Sequence, residues 1–250
     1  MAAAATASVR DFAHRATSLD PETMAQSILD AIDKAAASRW DAAVERAATL
    51  PGELRPEKVR ALTDQLSREL AAIGAAAGVA AVAPTVGTTA TLMASTAELA
   101  WFTTRCGDLI LTIAALHGRG TPTVDERRAW VLAVLIYGGT AREGFVTAAD
   151  GLGAGLGAGA THLPIATLRA VNGVLGRKLM SRYGKRRGVI ALGRALPLGI
   201  GAVIGGGANW TAVRALAKQA DQFFARMPYS AIDTTAIDIG GALPAPRPAT

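Results

Sequence analysis

Six cations fall between residues 177 and 187: Arg177, Lys178, Arg182, Lys185, Arg186 and Arg187. Dense positive charge in so short a stretch is chemistry for anions, either the headgroups of an acidic bilayer, where each cation contributes on the order of 1 kcal/mol, or the phosphates of a nucleic acid. The flanking sequence sharpens the choice. No acidic residue occurs between Asp150 and Asp221, a stretch that holds ten Lys and Arg residues and carries +10, whereas the other 16 cations meet 20 acids and carry −4. The overall +6 conceals this segregation. Only Tyr183 is interleaved with the cluster and no nucleic-acid-binding motif accompanies it, so nucleic acid is not the expected partner. For any single arginine the ordinary reading is a solvated helix face; as a group the six are expected to contact anionic lipid.

Other reactive residue types are sparse. Cys106 is the single cysteine, which excludes an internal disulfide, and its place in an apolar heptad stripe reads as a small buried hydrophobe rather than a nucleophile. His14, His117 and His162 are far apart and lack ligand spacing, so no metal is expected. Gly155-x-Gly157-x-x-Ala160 approaches a dinucleotide fingerprint, but no strand pattern precedes it and no acid follows before Asp221. That stretch reads as a linker or a tightly packed helix. Walker, nucleophile-elbow and His-Glu-x-x-His motifs are missing, and Asn209 and Glu98 read as a helix cap and a satisfied or exposed carboxylate. No catalytic constellation and no cofactor are expected.

The elements that must position these residues are helical. Half of the 250 residues are hydrophobic, only 5% are aromatic, and alanine dominates. Asp20 and Pro21 open a first helix in which Met24, Ile28, Ile32, Trp40 and Val44 repeat near one face up to Pro51-Gly52. Val59, Leu62, Leu66, Leu70 and Ile73 mark a second, amphipathic helix. Beyond Pro84 a long helix is expected to run to Leu116, with Leu92, Leu99, Cys106 and Ile113 on one stripe and Glu98, Arg105 and Asp108 off it. Thr123 with Glu126 and Thr140 with Glu143 have the spacing of capping boxes. The first of these helices is apolar almost all round and should be central. Ile165, Leu168, Val171, Leu175 and Leu179 form the buried face of the basic helix, expected over 164–187, and a last helix is expected from Asn209 to Met227 before Pro228.

Residues 70–97 carry no charge and exceed the roughly 20 residues needed to span a bilayer. Their Ala, Gly, Thr, Ser and Val content around Pro84 argues for a buried helical hairpin, and Pro197 with Gly205-Gly206-Gly207 interrupts the second charge-free stretch, 195–213. Glycines four apart, Gly74 with Gly78 and Gly201 with Gly205, let helix backbones approach closely. No secretory signal pattern opens the chain. The expected organisation is a weakly ordered lead (1–18), one all-α bundle of about seven or eight helices with Ala/Gly-rich hairpins (19–228, Gly-rich connector 151–160), and a disordered tail (229–250). The expected location is cytoplasmic, peripheral on the inner face of the cell membrane.

Over roughly residues 20–228 the order of segments resembles the EcsC protein family. The resemblance rests on Leu50-Pro-Gly52, Gly74-Ala-Ala-Ala-Gly-Val-Ala-Ala-Val-Ala-Pro84 and the helix from Asp108 to Leu116-His-Gly118. It continues in Gly176-Arg-Lys-Leu179, Leu196-Pro197, Gly199-Ile-Gly-Ala-Val-Ile-Gly205, Asn209 and the terminal helix to Phe224. It implies an all-helical cytoplasmic or membrane-associated protein and brings no catalytic residues. The leading expectation is therefore a non-enzymatic peripheral membrane or interaction protein. The alternative is a soluble bundle that holds a small apolar ligand between its Gly-rich and Ala-rich hairpins or binds a protein partner.

Overall fold

The computed structural model describes residues 21–82, 88–159, 162–183, 206–227 and 230–232. Over these the chain is an all-α bundle with one short strand pair. In order come α1 (Pro21–Ser38), α2 (Trp40–Thr49), α3 (Arg55–Val82), α4 (Thr88–Leu116), α5 (Val124–Tyr137), a 3-10 turn (Gly138–Thr140), α6 (Ala141–Asp150), α7 (Ile165–Tyr183) and α8 (Gly206–Ala225). β1 (His162–Pro164) pairs in parallel with β2 (Ser230–Ile232), so three residues of the expected tail are tied to the start of α7.

α5 is the central element. Every residue from Ala129 to Ile136 is buried, because α1, α4, α6, α7 and α8 all pack against it. Its start is fixed locally: Thr123 Oγ1 accepts the Glu126 N–H at 3.2 Å while the Glu126 carboxylate accepts the Thr123 N–H at 2.8 Å. An aromatic row crosses the core, with Trp40 6.4 Å from Trp130, Trp130 edge-on to Phe224 at 5.3 Å, and Phe224 edge-on to Phe223 at 5.1 Å. α4, the second central helix, packs on α1, α2, α3 and α8. No helix among the described residues is long and apolar enough to cross a membrane.

Several expectations need correction. The first helix is two: the chain bends at Arg39 (φ −105°, ψ 0°), which turns Trp40 into the core and leaves Val44 43% exposed. The second capping box does not form. The chain enters α6 through the 3-10 turn, and Thr140 Oγ1 donates to the Tyr137 carbonyl instead of capping α6. α4 has no polar face between Cys106 and Ala114, since neighbours surround it there, and Asp108 is buried with the stripe. α8 begins at Gly206, which puts Asn209 within its first turns rather than at its cap. Gly74 and Gly78 lie in α3, whereas Gly201 and Gly205 lie outside the described residues. Close approaches among the described residues fall elsewhere: a Cβ on Gly144 would meet the Tyr137 ring, and one on Gly107 would sit 3.0 Å from Ala35 Cβ, at the crossing of α4 and α1.

The glycine-rich connector is a series of turns. Gly153, Gly155 and Gly159 have positive φ, and the Asp150 carboxylate accepts the N–H groups of Leu156 (2.6 Å) and Gly157 (2.9 Å). Those amides are the donors a phosphate loop would offer to its ligand, and here a carboxylate of the chain itself takes them.

Candidate functional site

α7 presents the described half of the basic cluster. Leu168, Val171, Leu175 and Leu179 are buried as their spacing predicts, and Arg177, Lys178 and Arg182 are exposed. Two of the three also hold the end of α5: Arg182 Nη1 donates to the Ile136 carbonyl at 2.6 Å, and Lys178 Nζ lies 4.3 Å over the Tyr137 ring and 3.2 Å from its hydroxyl. Arg177 makes no hydrogen bond or ion pair among the described residues. Lys185, Arg186 and Arg187 follow the end of α7 in sequence and lie outside the described residues.

A second charged centre was not anticipated. Asp108, 3% exposed, accepts Arg39 Nε at Oδ1 and Arg39 Nη2 at Oδ2, both at 2.7 Å, and Arg105 Nη1 at Oδ2 at 2.9 Å. Arg46 Nη1 stands 4.0 Å from the same Oδ2, and Arg105 reaches Glu69 of α3 with its other terminal nitrogen. The bidentate pair with Asp108 raises the pKa of Arg39 above its ordinary value despite some desolvation. Three guanidinium groups therefore share two carboxylates, and Arg105 Nε is buried without a protein acceptor.

Beside this cluster a cleft of about 660 Å3 runs between one face of α1 and one face of α4, with Glu69 at its edge. Lys34, Arg39 and Arg105 supply positive charge to its wall, Asp30 and Glu69 negative charge, and Trp101, 37% exposed, an aromatic surface. The wall is thus amphipathic and charged. The apolar ligand site expected between the Gly-rich and Ala-rich hairpins concerns side chains of 70–99 and 184–210, which lie outside those described.

His117, at the end of α4, approaches Asp221 of α8 through Nε2 at 2.8 Å, and Arg55 stands 3.5 Å from the same Asp221 oxygen. Burial lowers the His117 pKa; the Asp221 hydrogen bond opposes this, and Arg55 and Arg119 add to it. Arg119 itself donates to the Phe224 and Met227 carbonyls at the end of α8. These contacts join two helix ends. Cys106 is 2% exposed, and burial, with the nearby Asp108 charge, holds its thiol far above the ordinary range, as suits a core residue. No three potential metal ligands gather among the described residues.

No family model matches the chain. No curated protein and no solved structure matches it either. Its own residues carry the functional argument. The sequence signal for the Asp108 cluster was the one charged residue in the run from Cys106 to Leu116, three places after Arg105; its partners Arg39 and Glu69 lie 69 residues from Asp108 and 36 from Arg105 and share no motif with them.

Proposed function

We propose that the protein is a non-enzymatic, peripheral membrane or interaction protein that contacts anionic lipid through the basic end of α7. The observation that carries this reading is the exposed, acid-free surface of α7, where Arg177 and Lys178 stand side by side and the chain continues into Lys185, Arg186 and Arg187. Anionic headgroups would be concentrated against such a surface, each cation contributing on the order of 1 kcal/mol at low salt. The resemblance to the EcsC family, which implies a cytoplasmic or membrane-associated protein, is in keeping with this reading, and the location proposed with it is the inner face of the cell membrane. Hydrogen bonds of Lys178 and Arg182 to α5 hold the helix beneath, so the charges sit on a rigid platform.

Liposome flotation tests this reading with vesicles of phosphatidylcholine alone and with added phosphatidylglycerol, each at low and high salt. Recovery only with the anionic vesicles, lost at high salt, is expected. Replacement of Arg177, Lys185, Arg186 and Arg187 by Gln should abolish it while leaving the bonds to α5 intact. Unchanged flotation of that variant would remove α7 from the account.

A further inference from the structure

The cleft between α1 and α4 lies apart from the basic end of α7 and has charge to spare. Asp108 and Glu69 are already occupied by the three arginines around them. Asp30 accepts the Gln26 side-chain amide at 2.8 Å. On the cationic side, Arg39 spends Nε and Nη2 on Asp108, and among the described residues neither its Nη1 nor the Lys34 ammonium has an acceptor. Among the described lining residues three cations (Lys34, Arg39 and Arg105) stand against two acids (Asp30 and Glu69), and Asp108 is buried behind them. The unspent capacity is thus for donating hydrogen bonds and for positive charge.

We infer that this cleft is a binding site for a phosphate ester, the phosphate received by Lys34 and Arg39 with the Arg105 charge in the wall beside them, and an apolar or ring portion lying against Trp101. A phosphate suits the donors because it offers several acceptor oxygens and up to two negative charges to side chains approaching from different helices. Asp108 makes the site rigid in advance: by binding Arg39 through two atoms and Arg105 through one, it fixes both guanidinium groups before a ligand arrives, which reduces the ordering cost of binding. Trp101, 37% exposed at the cleft wall, offers aromatic surface on which a ring or an acyl-glycerol chain can lie. The ester could be a soluble metabolite or the headgroup of a lipid; both present the same chemistry to these donors.

Calorimetric titration of the full chain with inorganic phosphate and with phenyl phosphate, against chloride at equal ionic strength, reads the site directly. Saturable binding of both is expected, phenyl phosphate being the tighter. Lys34→Gln, an exposed substitution that leaves Asp108 and its arginines untouched, should weaken both by about tenfold. Trp101→Leu should bring phenyl phosphate down to the affinity of inorganic phosphate. Absence of saturable binding, or binding indifferent to both substitutions, would overturn the inference. A flotation arm with vesicles of phosphatidylcholine and phosphatidic acid separates the sources. If phenyl phosphate displaces the protein from these vesicles and Lys34→Gln reduces its recovery, the site takes a lipid headgroup; if neither occurs while phenyl phosphate binds in solution, it takes a soluble ester. Loss of flotation on removing the α7 cations leaves the solution titration unaffected, so the two readings fail independently.

Discussion

Arg39 grips both carboxylate oxygens of Asp108 from the bend between α1 and α2, 69 residues away in sequence. The pair joins the helix that carries Trp40 into the core to the helix that runs through its middle. Asp108→Asn leaves Arg39, Arg46 and Arg105 facing one another without the carboxylate they share, and, because the arginines are partly exposed, the expected loss is about 2 kcal/mol of unfolding free energy. Arg46→Ala, which removes only the 4.0 Å contact, should cost under about 1 kcal/mol. Urea unfolding of the two variants checks the order; equal effects would mean that Asp108 is not the hub of the cluster.

The His117 ring is buried, and its pKa is lowered because burial, with Arg55 and Arg119 nearby, outweighs the Asp221 hydrogen bond. The neutral ring donates Nε2–H to Asp221 in the folded state. Since the folded pKa lies below the ordinary value of 6.5, this group's contribution is fully present above that pH and is lost as the pH falls toward the folded pKa. The unfolding midpoint should therefore drop between about pH 7 and 5, and His117→Gln should flatten the profile there. A midpoint that rises on acidification would show that the Asp221 attraction prevails.

Two similar motifs are expected to respond differently. Thr123→Ala removes an oxygen that accepts the Glu126 N–H and should cost about 1 kcal/mol. Thr140→Ala, at a helix start where the side chain makes no cap, should cost only about a few tenths. Thermal unfolding of both variants side by side decides whether the box spacing or the observed geometry predicts stability.

At the crossing of α1 and α4, a Cβ on Gly107 would already press on the Ala35 methyl at 3.0 Å, and a larger side chain has further to push. Gly107→Leu should push the two helices apart, lower stability by about 2 kcal/mol or more and disturb the adjacent Arg39–Asp108 bond. Phosphate titration of this variant should show weaker binding as well, because Arg39 and Lys34 ride on the displaced element.

Much of the bundle could be read along the chain. The faces of α7 and of the first half of α3 followed from spacing, as Leu168, Val171, Leu175 and Leu179 and then Leu62 and Leu66 are buried in the positions their periodicity assigns. The apolar run from Trp130 to Ile136 foretold a helix surrounded on all sides. Periodicity failed where a helix has neighbours all round, as at Asp108, and where a bend reorients a face, as at Val44. It also failed to foresee how helix ends are satisfied. Arg182 serves α5, Arg119 serves α8, and Arg142 donates to the Arg226 carbonyl just past α8, all from other elements.

Composition and local spacing were enough for an all-α chain, for the capping box at Thr123, for the buried face of α7 and for the segregation of charge after Asp150. These properties depend on neighbours within a few residues, or on no neighbour at all. The pairing of Arg39 with Asp108, of Glu69 with Arg105 and of His117 with Asp221 came from packing, as did the cleft that Lys34, Arg39, Arg105 and Trp101 line. Each joins residues 36 to 104 positions apart, and a contact at that range exists only after the helices that carry its two ends have been brought together by burial of their apolar faces.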